Sequence, residues 1–167
     1  KEASHYAYLG MYALQHRGQD GCGLVSIDSE SAKLNAHRNY GLVADNIDNG
    51  VLKKLSGHSA LGHLRYSTQG GSEIDNIQPF VFHSPKFGPV ALAHNGHITN
   101  AHILRKSFEE QGSVFKTTSD SEIFLHLIAK SSKPTLEERI AEIPEYVRGA
   151  YSLVVMTRDS SYAFRDP

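Results

Sequence analysis

Cysteine is nearly absent from this chain, and no stretch of it is long and apolar enough to cross a membrane. The 167 residues include a single cysteine, Cys22, which excludes an internal disulfide framework and fits a reducing compartment. Every apolar run falls short of the roughly 18 residues that a membrane-spanning helix requires. We therefore expect a cytoplasmic protein without a membrane partner.

The chain also lacks an excess of charge of either sign. Its 17 Lys and Arg residues nearly balance 18 Asp and Glu residues, which leaves a net charge of −1 at pH 7. Proteins that bind nucleic acids or membrane surfaces usually carry a basic excess. We expect no nucleic-acid partner.

The length suits one globular domain with a substantial core. The sequence begins without a methionine, at Lys1, and it stops at Pro167 soon after an apolar run. We therefore expect residues 1–167 to form a single domain that is truncated at both ends and belongs to a longer protein.

Hydrophobic periodicity predicts helices and strands without regular alternation. The predicted helices cover 3–18, 46–57, 100–112, 119–132 and 135–149. The predicted strands cover 22–28, 31–39, 59–67, 80–83, 89–95 and 150–157. Several strands follow one another directly, which favours an α+β fold with mainly antiparallel sheets.

The strand predicted over 89–95 runs into Asn95 and Gly96, a pair that is typical of hairpin turns. A hairpin would continue into a second strand, whereas a helical pattern follows here. We predict that the strand stops at this pair, where an amide side chain and a glycine N–H can be held against a substrate.

The segment GHLRYSTQGG, residues 62–71, combines an arginine with hydroxyl side chains and two glycines. The guanidinium of Arg65 matches a carboxylate in a bidentate pair, and the glycines permit a loop that closes over a ligand. The alternative is an exposed strand end with a surface arginine.

A third polar segment, TTSDSE, precedes the helix predicted over 119–132. Ser119 and Glu122 have the spacing of a capping box, as do Thr135 and Glu138 further on. Capping does not require Asp120, which can face a ligand amine. An arginine, an aspartate and a donor pair together fit a free amino acid such as glutamine.

Two other features favour ordinary structural roles. Cys22 lies between glycines at the start of an apolar strand, where a packed side chain is expected rather than a reactive thiolate. His94 and His97 lack the converging ligands and the spacing of a metal site.

Five segments, LQHRGQDGCG, GHLRYSTQGG, NIQPF, LAHNGHITNA and TTSDSE, resemble in order and spacing the class II glutamine amidotransferase family. The residues of the first two segments favour the family members in which this domain is joined to a phosphoribosyltransferase. The resemblance implies a four-layer αββα sandwich of two mainly antiparallel sheets, of the N-terminal nucleophile (Ntn) hydrolase type. Here it would lack the first strand.

The resemblance also implies catalytic roles. Asn95, through its side-chain amide, and Gly96, through its N–H, would form the oxyanion hole. Arg17 would lie near the nucleophile, which in the family is an N-terminal cysteine whose α-amino group is the base. Because this chain carries no such cysteine, we expect the polypeptide alone to be inactive.

Glutamine recognition is implied in the same way. Arg65 would bind the α-carboxylate, and Asp120 would bind the α-ammonium group. Tyr66, Ser67 and Thr68 would belong to the loop that closes over glutamine.

For the whole enzyme, the resemblance implies hydrolysis of glutamine to glutamate and ammonia. The ammonia would convert phosphoribosyl pyrophosphate to 5-phosphoribosylamine, the first step of de novo purine biosynthesis. We expect no cofactor or metal in this chain, with Mg²⁺ and, in some members, an iron–sulfur cluster in the remainder of a homo-oligomeric enzyme. The alternatives are another class II glutamine amidotransferase and a non-catalytic amino-acid-binding domain.

Overall fold

The computed structural model describes residues 3–28, 30–66 and 73–167. They form two antiparallel sheets with helices outside each. The first sheet has the strand order β2-β1-β3, with β1 (Gly21–Ile27), β2 (Leu34–Tyr40) and β3 (Ser59–Arg65). The second has the order β4-β5-β6-β7, with β4 (Phe80–Ser84), β5 (Gly88–Ile98), β6 (Gly149–Thr157) and β7 (Ser161–Arg165).

The helices fall into two groups along the chain. The N-terminal group comprises α1 (Ala3–Ala13), α2 (Val43–Asn46) and α3 (Asn49–Lys54). The C-terminal group comprises α4 (Ala101–Glu110), α5 (Glu122–Lys130), α6 (Leu136–Ala141) and α7 (Ile143–Tyr146). None of the described helices has the length and apolarity that a membrane-spanning segment needs.

Three apolar clusters define four layers. Leu24 of β1 packs with Met11 of α1 beneath the N-terminal helices, and Leu92 of β5 packs beneath the C-terminal helices. Between the sheets, Val25 of β1 contacts a cluster that includes Ala91 of β5. Because side chains alternate across a strand, a strand with a sheet on one side and helices on the other is apolar on both faces. The predicted αββα sandwich is confirmed.

The predicted elements differ from the observed ones mainly at their ends. The helix expected over 135–149 is two short helices, because Pro144 at the start of α7 cannot continue a preceding helix. Its predicted capping box between Thr135 and Glu138 is present. The strand β7 was not predicted, since it has only five residues and is recognised chiefly by its pairing with β6.

Candidate active site

A cavity of about 500 Å³ opens where β3 and β5 end and where the chain enters α5. Its walls are mostly polar. They include His16, Arg17, His63, Leu64, Arg65, Tyr66, Asn76, Gln78, His94, Asn95, Gly96, His97, Ser119, Asp120 and Ser121. The structure thus brings together, at one site, every predicted site residue that it describes.

The Asn95-Gly96 pair lies inside β5 and does not terminate it, so the prediction that the strand stops there is wrong. The strand stays paired with β6 as far as Ile98, and Gly96 lies opposite Tyr151. Asn95, Gly96 and His97 are exposed between buried neighbours. Pairing with β6 continues the strand, while exposure on the cavity side leaves this part of β5 open to a ligand.

Gly96 meets a steric requirement that no other residue satisfies. Its φ of +143° is rarely adopted by residues with a side chain. A Cβ atom at this position would lie 2.2 Å from the carbonyl oxygen of Ala150 on β6. The close approach of two strands therefore explains the glycine, independently of any role in catalysis.

Arg65, the last residue of β3, lies at the cavity wall and is only 7% exposed. The alternative of a surface arginine at an exposed strand end is therefore wrong. One contact that holds the side chain runs from its Nη1 to the carbonyl oxygen of Glu73, at 3.4 Å. Tyr66 follows it with an exposed ring, while Ser67 and Thr68 lie outside the described residues.

Asp120 lies just before α5 and reaches across to β5. Its Oδ2 accepts a hydrogen bond from the N–H of Ile98 at 3.0 Å, and lies 3.8 Å from Nδ1 of His97. Its Oδ1 accepts a hydrogen bond from the Ser121 hydroxyl at 3.4 Å. The side chain remains 21% exposed, so a carboxylate anchored to the protein also faces the cavity.

The capping box predicted for Ser119 and Glu122 is not formed. Ser119 Oγ accepts a hydrogen bond from the N–H of Ser121, while the Glu122 carboxylate accepts hydrogen bonds from the N–H groups of Lys116 and Thr117. Glu122 therefore bends back and fixes the segment that leads to Asp120. Burial alone would raise its pKa, but these bonds and His126 outweigh burial and lower the pKa to about 2.

Burial favours the neutral form of two histidines at the cavity. Burial lowers the pKa of His94, against the opposing effect of Asp120, and burial lowers the pKa of His63 to about 4. His94 Nδ1 lies 2.7 Å from Ser121 Oγ. Within the described ranges, no group of three or more His, Cys, Asp or Glu side chains could hold a metal ion.

Cys22 is fully buried on β1 and lies in the apolar cluster with Met11, as predicted. Burial raises its pKa to about 11, so the thiolate is scarcely formed near neutrality.

Arg17, in contrast, is exposed and lines the cavity from a 3₁₀ turn, Gln15–Arg17. Gln15 anchors that turn by accepting a hydrogen bond from the N–H of Val43 at 2.7 Å.

Sequence reasoning gave no role to Asn76 and Gln78, although both belong to the NIQPF segment that carries part of the resemblance. Both side chains are buried at the cavity. The available signal was two amide side chains flanking an apolar residue and followed by proline, which is a weak pattern.

A four-layer αββα sandwich is the fold that the resemblance to glutamine amidotransferases implies, and the residues to which the resemblance gives roles lie together at this cavity. Residues 63–167 match the glutamine amidotransferase domain family. The chain belongs to this family.

The relatives are more specific. The chain is 43% identical over 167 residues to amidophosphoribosyltransferase of Bacillus subtilis (strain 168), covering 100% of the chain and 35% of that protein. It is 45% identical over 166 residues to amidophosphoribosyltransferase 1, chloroplastic, of Arabidopsis thaliana, covering 99% of the chain and 29% of that protein.

Solved structures agree with these relatives. Glutamine phosphoribosylpyrophosphate amidotransferase from B. subtilis, complexed with ADP and GMP, matches with a TM-score of 0.91 at 42% identity. The match covers 100% of this chain and 35% of that chain. The chain thus spans about a third of the length of these relatives.

Proposed function

We propose that this chain is the glutaminase domain of an enzyme of the amidophosphoribosyltransferase type. The observation that carries the proposal is the meeting of Arg65, Asp120 and the Asn95-Gly96 pair at one cavity. These groups supply a cation for a carboxylate, an anion for an ammonium group and donors for an oxyanion. Free glutamine carries an α-carboxylate and an α-ammonium group, and its side-chain amide develops an oxyanion during hydrolysis.

Glutamine binding would use the two charged residues. The Arg65 guanidinium would pair with the α-carboxylate, and the exposed part of Asp120 would accept from the α-ammonium group. Because both charges are held at the cavity wall, the side-chain amide of glutamine would be directed towards β5. Tyr66, Ser67 and Thr68 would close over the bound substrate.

Catalysis would proceed through a thioester. A thiolate attacks the amide carbon, the oxyanion receives hydrogen bonds from Asn95 and the Gly96 N–H, and ammonia leaves after gaining a proton. Water then releases glutamate and regenerates the thiol. The buried Cys22 is unsuited to the attack. An N-terminal cysteine near Arg17, with its α-amino group as the base, would supply the thiolate.

The remainder of the enzyme would use the ammonia. Phosphoribosyl pyrophosphate would be converted to 5-phosphoribosylamine, which begins de novo purine biosynthesis. The names of the relatives support this substrate pair. We further propose a cytoplasmic homo-oligomer without a nucleic-acid partner, in which Mg²⁺, and an iron–sulfur cluster if one is present, belongs to the remainder.

The test is glutamate release by the full-length protein with its N-terminal cysteine exposed. We expect Asn95→Ala to lower kcat by about 100-fold or more with little change in KM, since an oxyanion donor acts in the transition state. Arg65→Ala is expected chiefly to raise KM. Arg158→Ala, at an exposed arginine between β6 and β7, is the matched control and should leave both constants unchanged.

The other outcomes are distinct. Glutamine binding without hydrolysis would indicate a non-catalytic amino-acid-binding domain. Hydrolysis whose ammonia is not transferred to phosphoribosyl pyrophosphate would indicate another class II glutamine amidotransferase.

A further inference from the structure

Where β5 lines the cavity, the Gln78 side chain makes the backbone hydrogen bonds to β5 that a neighbouring strand would otherwise make. Its Oε1 accepts from the N–H of His94 at 2.6 Å, and its Nε2 donates to the carbonyl oxygen of the same residue at 3.2 Å. Both backbone groups of the residue before Asn95 are therefore fixed by one amide side chain. Gln78 is only 7% exposed, so water competes little for these bonds.

Asn76 makes the corresponding contacts with the segment that carries Asp120. Its Oδ1 accepts from the N–H groups of Thr118 and Ser119, both at 3.1 Å. Its Nδ2 donates to the Thr118 hydroxyl at 2.8 Å. With 4% of its surface exposed, Asn76 holds this segment as Gln78 holds β5. Gln78 Nε2 also donates to the Ser121 hydroxyl at 3.3 Å, so Gln78 reaches the end of this segment as well.

The segment that carries both amides is itself held against the first sheet. Ile77 is fully buried, and its carbonyl oxygen accepts from Arg38 Nη1 at 3.4 Å. A Cβ atom on Gly23 would lie 2.1 Å from the carbonyl oxygen of Gln78, so β1 packs directly on this backbone. Two buried amides on one fixed segment thus reach the two halves of the cavity.

We propose that Asn76 and Gln78 are positioning residues of the glutaminase site, each of which acts mainly on one half of it. Gln78 aligns Asn95 and Gly96 with the developing oxyanion, and Asn76 aligns Asp120 with the substrate ammonium group. This inference rests on the proposed function. It predicts that two residues only two positions apart in the sequence have their main effects on different kinetic constants.

The test uses the near-isosteric variants Gln78→Met and Asn76→Leu in the full-length protein. Loss of an aligned hydrogen bond corresponds to about a tenfold effect. We expect Gln78→Met to lower kcat for glutamate release about tenfold or more, with KM for glutamine changed less than about threefold. Asn76→Leu is expected to raise KM about tenfold with kcat changed less than about threefold.

The variants Gln78→Glu and Asn76→Asp serve as rescue controls and replace the first pair if either fails to fold. Each keeps an oxygen that can accept from the backbone N–H groups but loses the amide donor, so each is expected to recover only part of the affected constant. Equal changes in kcat and KM for both sites, or no recovery with the acidic variants, would overturn the proposal.

Amide hydrogen exchange separates this inference from the proposed function. In the full-length protein, Gln78→Met is expected to speed exchange at the His94 N–H and not at the Thr118 N–H, and Asn76→Leu is expected to do the reverse. This local effect with no glutamate release from the parent enzyme would overturn the function and leave the positioning intact. Uniformly faster exchange in either variant would overturn the positioning itself.

Discussion

The Asp120 carboxylate accepts a hydrogen bond from the backbone N–H of Ile98 at 3.0 Å. The residue proposed to bind the substrate ammonium group is therefore attached to the strand that carries Asn95 and Gly96. Because Ile98 itself is buried, this link is part of the rigid interior, and the two ends of the bound glutamine would be held in a fixed relation.

Asp120 thus has two roles, a structural hydrogen bond with Ile98 and the proposed binding of the substrate ammonium group. Two substitutions distinguish these roles. In Asp120→Asn the new amide oxygen can still accept from Ile98, but the charge that attracts ammonium is gone. We expect KM for glutamine in the full-length protein to rise about 10- to 100-fold, with the free energy of unfolding nearly unchanged. Asp120→Ala is expected to lose about 1 kcal/mol of stability as well. An unchanged KM in both variants would exclude Asp120 from substrate binding.

Gly96→Ala is expected to destabilise the fold, because a methyl group would meet the Ala150 carbonyl at 2.2 Å and the two strands are paired on both sides of this position. Gly112→Ala is the matched control, since Gly112 also has a positive φ, +85°, but has no atom within 4 Å of a built Cβ. The control is expected to cost about 1–2 kcal/mol, from backbone strain alone. The Gly96 variant should cost more than this in urea denaturation, and equal losses would contradict the steric explanation.

The family resemblance predicted the four layers of this fold, whereas periodicity predicted the strands and helices but not the ends of several of them. Apolar periodicity along β1 and β5 predicted buried strands, and these strands lie at the centre of the two sheets. The prediction that β5 stops at Asn95-Gly96 was wrong, because local turn propensity takes no account of the partner strand. Nine residue pairs with β6 continue β5 to Ile98, and pairing between distant segments is invisible in a local window.

The candidate site was predicted unevenly for a related reason. Arg65, Asp120 and Asn95 are residue types with an evident chemical use, so their segments could be recognised. Asn76 and Gln78 act on backbone groups of residues 16 to 43 positions away, and such contacts leave no local pattern. The capping box at Ser119 failed because Glu122 finds better donors in Lys116 and Thr117.

The single thiol provides another prediction. Cys22 is fully buried with a pKa raised to about 11, so we expect it to react with a thiol reagent at neutral pH only after unfolding. We also expect the 167-residue polypeptide to release no glutamate from glutamine. Labelling followed by absorbance, with and without denaturant, tests the first expectation. Glutamate release that Cys22→Ser abolishes would refute the second.

The pH dependence of stability provides the last prediction. The folded-state pKa of Glu122 is lowered from 4.5 to about 2, so its ionised form stabilises the fold above pH 4.5 and this contribution is lost as the pH falls towards 2. Glu122→Gln is therefore expected to be less stable at pH 7, by about 1–3 kcal/mol, since the amide oxygen keeps part of the hydrogen bonding but not the charge. Near pH 2 the difference from the parent should become small.

Urea denaturation across this range checks the expectation, with Glu109→Gln, at an exposed glutamate of α4, as the matched control that should follow the parent. Parent and variants share a further loss between about pH 6.5 and 4, because His63 has a pKa lowered to about 4 and its unfolded form takes up a proton first. That loss cancels when the variant is compared with the parent. A constant difference between Glu122→Gln and the parent at every pH would show that Glu122 acts by packing and not by charge.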